Sequence, residues 1–127
     1  WLQNCDGVVI CPSNPYVSVD PLLKLPGFTD ALASVPVAAV SPIVGGIAIK
    51  GPAAKMMSEL NVPATAAAVA AHYDGLLSGF VLDETDRNQA DEVKIPAIVT
   101  NTIMVTLEDR VQLARDVLGF LQTLGHP

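Results

Sequence analysis

The sequence predicts an α/β fold with three layers, in which helices cover both faces of a mainly parallel sheet. Two observations carry this. Four short apolar runs rich in β-branched residues lack the polar–apolar alternation of half-exposed strands, as expected of strands buried on both faces. Segments with helix-start signals or helical spacing separate these runs, which is the pattern of a βαβ chain. The 127 residues, half apolar and only 16% charged, suit one domain or a portion of a larger one and are far from a disordered composition.

The first strand is read in Gly7 to Cys11, stopped by the turn-forming Pro12-Ser-Asn-Pro15. Asp20-Pro21 is a good N-cap followed by proline and opens a short helix through Lys24; Thr29 can cap a second, Asp30 to Ser34. The second strand is Val35 to Ser41, and Pro42 to Gly51 after it reads as a glycine-rich loop. Pro52 sits where a helix begins, with Ala53, Ala54, Met56, Met57 and Leu60 as its apolar face. Pro63 opens an alanine-rich helix from Ala64 to Ala71. Gly79 to Asp83 is the third strand, Thr85 to Asp91 a short acidic helix or loop, and Ile95 to Thr100 the fourth strand. Thr106 caps the last helix, whose Leu107, Val111, Ala114, Leu118 and Leu121 form the stripe expected to lie on the sheet.

Composition excludes several classes. Seven basic against thirteen acidic residues give a net charge of −6, and the basic residues are not clustered, so nucleic acid is not expected as a partner. The longest weakly polar stretch, Pro36 to Ile49, is interrupted by Ser41, Pro42, Gly45 and Gly46 and is shorter than the roughly 18 apolar residues of a membrane span. A soluble, cytoplasmic protein is expected. Cys5 and Cys11 match neither a redox pair nor a zinc knuckle and read as buried thiols in a reducing compartment. The start at Trp1 carries no signal-peptide pattern and no initiator Met, which suggests a fragment whose sheet is incomplete on the N-terminal side.

In an open parallel sheet, ligands bind in the loops that leave the carboxyl ends of the strands. Three such loops have distinctive compositions. Cys11 to Pro15 stiffens a turn with two prolines and presents Ser13 and Asn14, although both are also ordinary turn residues. Ser41 to Lys55 combines Ser41, Gly45, Gly46 and Gly51 with Lys50 and Lys55, two of only seven basic residues, and reads as an anion site near a helix start, or else as a structural loop with two solvated lysines. It contains neither a P-loop nor a dinucleotide fingerprint. Thr100-Asn101-Thr102 again places small polar groups after a strand. Asp83 and Glu84 at the neighbouring strand end could ligand a metal or ribose, or could cap a helix. His72 ends the alanine helix, where it is expected to meet the last carbonyls, and no hydrolytic triad can be assembled from His72 and His126.

At these residues the chain resembles a known family. Val8-Val-Ile-Cys-Pro-Ser-Asn-Pro-Tyr-Val-Ser-Val-Asp-Pro21, Ala39-Val-Ser-Pro-Ile-Val-Gly-Gly46, Lys50-Gly-Pro-Ala-Ala-Lys-Met-Met57, Ala71-His-Tyr73, Gly79-Phe-Val-Leu-Asp83 and Thr100-Asn-Thr102 are similar, in order and spacing, to motifs of the 2-phospho-L-lactate transferases. The resemblance extends from about Val8 to Phe120. It implies a Rossmann-like fold and a role in making the deazaflavin coenzyme F(420), with residues 1–127 as the C-terminal portion of one transferase domain. The implied reaction moves the phospho-lactyl or phosphoenolpyruvyl group of a guanosine-diphosphate-activated three-carbon acid onto the deazaflavin Fo and releases GMP, with Mg²⁺. Ser13, Asn14, Ser41, Gly45, Gly46, Lys50, Gly51, Lys55 and Thr100 to Thr102 would hold the donor, and the metal ligands would lie upstream of this chain. The acid itself and the oligomeric state stay open, a homodimer included. A nonenzymatic regulator of the same superfamily, similar to a bacterial gluconeogenesis factor, is the alternative. An NAD-type oxidoreductase is disfavoured by the missing fingerprint glycines.

Overall fold

The computed structural model describes residues 1–48 and 51–124. Strands β1 (Val8–Ile10), β2 (Val37–Val40), β5 (Gly79–Asp83) and β6 (Ala97–Thr100) form one sheet in the order β1-β2-β5-β6, with every neighbouring pair parallel. Central β2 and β5 are buried throughout, while edge strands β1 and β6 are half-buried. That is why their sequences run apolar without alternation. The register sets Ala38 opposite Gly79 and Val81 opposite Ile98. Just before β5, Ser78 N donates to Val37 O at 2.7 Å and Val37 N donates to Ser78 Oγ at 3.1 Å, across 41 residues of chain.

One face of the sheet is covered by α1 (Asp20–Leu23), α3 (Ala53–Glu59) and α4 (Ala66–His72), where Met57 and Val69, with Val19 just before α1 and Tyr73 just after α4, pack in one cluster with Ala39, Phe80 and Leu82. A short α2 (Phe28–Leu32) follows α1. The other face carries α5 (Leu107–Thr123), whose Leu113, Val117 and Phe120 pack on Val40 and Val81. Helices therefore lie on both sides of a parallel sheet, as the sequence predicts.

The face that α5 presents differs from the expected one. Leu113, Val117, Phe120 and Leu124, stepping by four, three and four, meet the sheet, whereas Leu107, Val111 and Leu118 of the expected stripe are exposed. The helix has two apolar stripes, and spacing alone does not say which one the sheet takes. Close approach decides it. A Cβ at Gly79 would lie 2.6 Å from the Phe120 ring and 2.8 Å from Leu124, so the bare glycine backbone is the seat for this inner stripe.

Other local differences have equally specific causes. Ile43–Val44 (β3) and Ile47–Ala48 (β4) form an antiparallel hairpin inside the segment read as loop, joined by Gly45 and Gly46 at φ 59° and 81°. Two consecutive positive φ values are what a two-residue hairpin turn demands. Asp20 is not an N-cap, because a π-helical turn over Pro15–Val19 delivers the chain to it already helical, and Asn14 caps that turn instead. Gly27 precedes α2, which starts at Phe28 rather than after Thr29, and Thr65 rather than Pro63 sets the start of α4 by accepting from Ala68 N. Cys11 is exposed and Cys5 half-buried, so neither is the fully buried thiol expected. No described helix is long and apolar enough to cross a membrane.

Candidate functional site

Because the four strands run parallel, the loops after Ile10, Val40, Asp83 and Thr100 all emerge at one end of the sheet. There, Pro12, Ser13, Asn14, Pro42, Thr102, Met104 and Arg110 line a crevice of about 340 Å³. The prolines fix its walls, since each locks its own φ and offers no N–H.

The Ser13-Asn14 loop is held from two directions. Asn14 Oδ1 accepts from Tyr16 N at 2.9 Å and Val17 N at 3.3 Å, and its Nδ2 donates to Met56 Sδ at 3.3 Å, which ties the loop to α3. Behind it, the Tyr16 ring packs edge-on to His72 with centroids 4.8 Å apart, and His72 Nε2 lies 2.8 Å from Asp20 Oδ1. His72 thus meets a carboxylate of α1 rather than the last carbonyls of its own helix. Tyr73 beside it has its hydroxyl pKa raised by burial, with the Asp20 carboxylate and Tyr16 adding to the shift.

The opposite wall is fixed by Asp83. Its Oδ1 accepts from Thr102 N at 2.7 Å and Thr102 Oγ1 at 3.0 Å, and its Oδ2 accepts from Thr85 N at 2.9 Å. Burial alone would raise the carboxyl pKa, but the hydrogen bonds from Thr85 and Thr102 outweigh it and hold the group below its ordinary value. Asp83 is therefore the cap of the 3₁₀ segment Glu84–Glu92, one of the two roles the sequence left open.

The remaining sequence-derived candidates are spread over several environments. Ser41 is fully buried, its hydroxyl donating to Ile43 O and accepting from Ile43 N. Gly45 N donates to both oxygens of Asp86, so this amide of the hairpin turn is already committed. Gly46 and Gly51 are exposed. Lys55 is exposed on α3 with its Nζ 3.9 Å from Glu59, and Lys50 lies outside the described residues. Thr100 Oγ1 donates to Asp116 on α5 at 2.6 Å, and Asn101 Oδ1 accepts from Ile103 N. Of the proposed set, Ser13, Asn14 and Thr102 line the crevice together.

Sequence reasoning missed Arg110, the one cation among the crevice-lining residues. A signal existed. Thr106 and Asp109 form a capping box that starts α5, and a basic residue in the first turn of a helix after a parallel strand stands at the ligand end of the sheet. Among the described residues, no group of three or more His, Cys, Asp or Glu side chains is placed to hold a metal ion.

The family model described as 2-phospho-L-lactate transferase CofD matches residues 1–117. The chain belongs to this family. It is 37% identical over 123 residues to the 2-phospho-L-lactate transferase of Methanocaldococcus jannaschii, an alignment covering 97% of this chain and 40% of that relative. The corresponding protein of Methanosarcina barkeri is 39% identical, with 99% and 42% covered. A family relative in Streptomyces coelicolor, named phosphoenolpyruvate transferase, is 38% identical, with 92% and 39% covered. The chain spans about 40% of the length of these relatives.

Proposed function

We propose that residues 1–127 form the C-terminal portion of a transferase that joins a phosphorylated three-carbon acid to the deazaflavin Fo in coenzyme F(420) synthesis. The family match over residues 1–117 carries this reading. In the reaction, the terminal ribityl hydroxyl of Fo attacks the phosphorus that bears the acid. A new P–O bond forms, the phosphoanhydride bond to GMP breaks, the hydroxyl proton is lost to solvent, and GMP leaves with the bridging electron pair. Transfers of this kind depend on placing the reactants in line and stabilising oxyanion charge more than on covalent participation by the protein. A crevice with rigid walls at the strand ends suits the first need, and a hydroxyl and a guanidinium lining it suit the second.

A divalent cation, Mg²⁺, belongs to the proposal as a partner of the donor phosphates, with no ligand assigned to it here. The proposed compartment is the cytoplasm. Relatives named for phospholactate and for phosphoenolpyruvate are equally similar to this chain, at 37–39% identity, so the acid is set by contacts finer than overall similarity. The test is to incubate protein carrying this chain with Fo, Mg²⁺ and the guanylylated acid. GMP release matched by a more anionic deazaflavin product is expected. GMP formed while Fo stays unconsumed would mean hydrolysis and would end the transferase reading.

A further inference from the structure

We infer that Arg110, with the Ser13 hydroxyl, forms an oxyanion seat at the sheet's carboxyl end that takes a phosphoryl or carboxylate group of the donor, and that Lys55 does not. The inference deepens the transferase reading and rests on it for the identity of the donor alone.

Three observations lead there. The first is which polar groups remain uncommitted. Around the crevice, Thr102 is spent on Asp83, Asn14 caps the Pro15–Val19 turn and bonds Met56, and Ser41 is closed on Ile43. Among the described residues, the Ser13 hydroxyl and the Arg110 guanidinium have no hydrogen-bond or ion-pair partner in the chain, and both line the same 340 Å³ space. The second is local charge. The acidic neighbour Asp109 is engaged in the α5 capping box, accepting from Val105 N and Thr106 N at 3.1 Å, and makes no ion pair with Arg110. The third is the position of Lys55. Like Arg110 it is exposed, but it lies within 3.9 Å of Glu59 and does not line the crevice.

Guanidinium chemistry makes the seat selective. Its planar fork matches two oxygens of a phosphate or carboxylate at once, and an adjacent hydroxyl can donate to a third. A lysine in the same place would offer a point charge without that geometry.

The test is an NMR titration of the ¹⁵N-labelled full-length protein carrying this chain with sodium pyrophosphate, and separately with sodium L-lactate as the carboxylate probe. Saturable shifts of the Arg110 Nε–Hε and of the Ser13 and Thr102 amides are expected for at least one probe, and the probe that produces them identifies the group seated. Arg110→Gln should weaken that binding roughly ten- to hundredfold, the loss expected for a charge-assisted contact. Arg110→Lys, which keeps the charge and guards against a folding artefact, should recover only part of it, and Lys55→Gln should stay within about twofold of wild type. Shifts centred on Gly51 to Lys55 that vanish in Lys55→Gln would overturn the inference, as would equal binding by wild type and Arg110→Gln, or no saturable shift with either probe in the folded chain. None of those results touches the transfer assay above, whose failure shows as GMP formed without a deazaflavin product.

Discussion

Asp83 at the end of β5 holds Thr102 beyond the end of β6 by two hydrogen bonds to a single carboxylate oxygen, 2.7 Å from the amide and 3.0 Å from the hydroxyl. One buried acid thus fixes both a strand-to-helix connection and one wall of the crevice. Thr102→Val keeps the shape and removes the hydroxyl donor, and is expected to cost about 1 kcal/mol in urea unfolding at neutral pH.

The same carboxylate gives a pH dependence with a defined sign. Its folded pKa lies below the ordinary value, so the unfolded chain binds the proton more readily and stability falls as pH falls. The contribution is complete above the ordinary Asp range and is lost from about pH 5 downward. Asp109, held below its usual value by the Thr106 and Val105 amides, acts in the same direction. Asp83→Asn should therefore lower stability at pH 7 and make its decline between about pH 5 and 3 shallower, without abolishing it. Urea midpoints across that range check this, and an unchanged slope would remove Asp83 as a source.

On α5, the buried stripe and the exposed stripe should respond oppositely to truncation. Val117, 4% exposed, should cost about 1–2.5 kcal/mol as Val117→Ala. Leu118, 55% exposed, should change stability by no more than about 0.5 kcal/mol as Leu118→Ala. Thermal melts of the two variants decide between this packing and the one in which Leu118 faces the sheet.

Gly79→Ala should destabilise by about 1–3 kcal/mol through overpacking against Phe120. Combining it with Phe120→Leu should cost less than the sum of the two single changes, since each relieves the other's clash or void. Additive effects in unfolding experiments would show that the glycine is not there for close approach.

The hairpin turn gives a further test of backbone geometry. Asn tolerates the left-handed region and suits the first position of such a turn, so Gly45→Asn should be nearly neutral. Gly46→Val, a β-branched residue at φ 81°, should cost about 1–2 kcal/mol or more. Equal stability of both variants in urea would contradict the turn.

The four strands were legible because burial on both faces leaves a direct trace: Val37 to Val40 and Gly79 to Asp83 are apolar almost without interruption. The choice between the two stripes of α5 was not, since it depends on a glycine 41 residues upstream of Phe120 on a different element. The hairpin was hidden by the same glycines that suggested an anion loop, although apolar pairs flanking Gly-Gly are also a hairpin signal. At the site, Ser13, Asn14 and Thr102 followed from the rule that loops gather at the strand ends. Arg110 did not, because its only local mark is its place in the first turn behind the Thr106–Asp109 capping box, and it is the sheet order that brings α5 against the Pro12 loop.

The seam between Val37 and Ser78 has a kinetic consequence. No two neighbouring strands of the main sheet can be joined by a tight turn, and the central pair closes only across 41 residues. Loop-closure entropy is therefore met before any of that pairing returns energy, which places this sheet among slow, non-locally connected topologies. During synthesis β2, entirely apolar and buried at completion, leaves the ribosome well before the partner that covers its second edge. For that interval its unpaired side is open to pairing with other nascent copies.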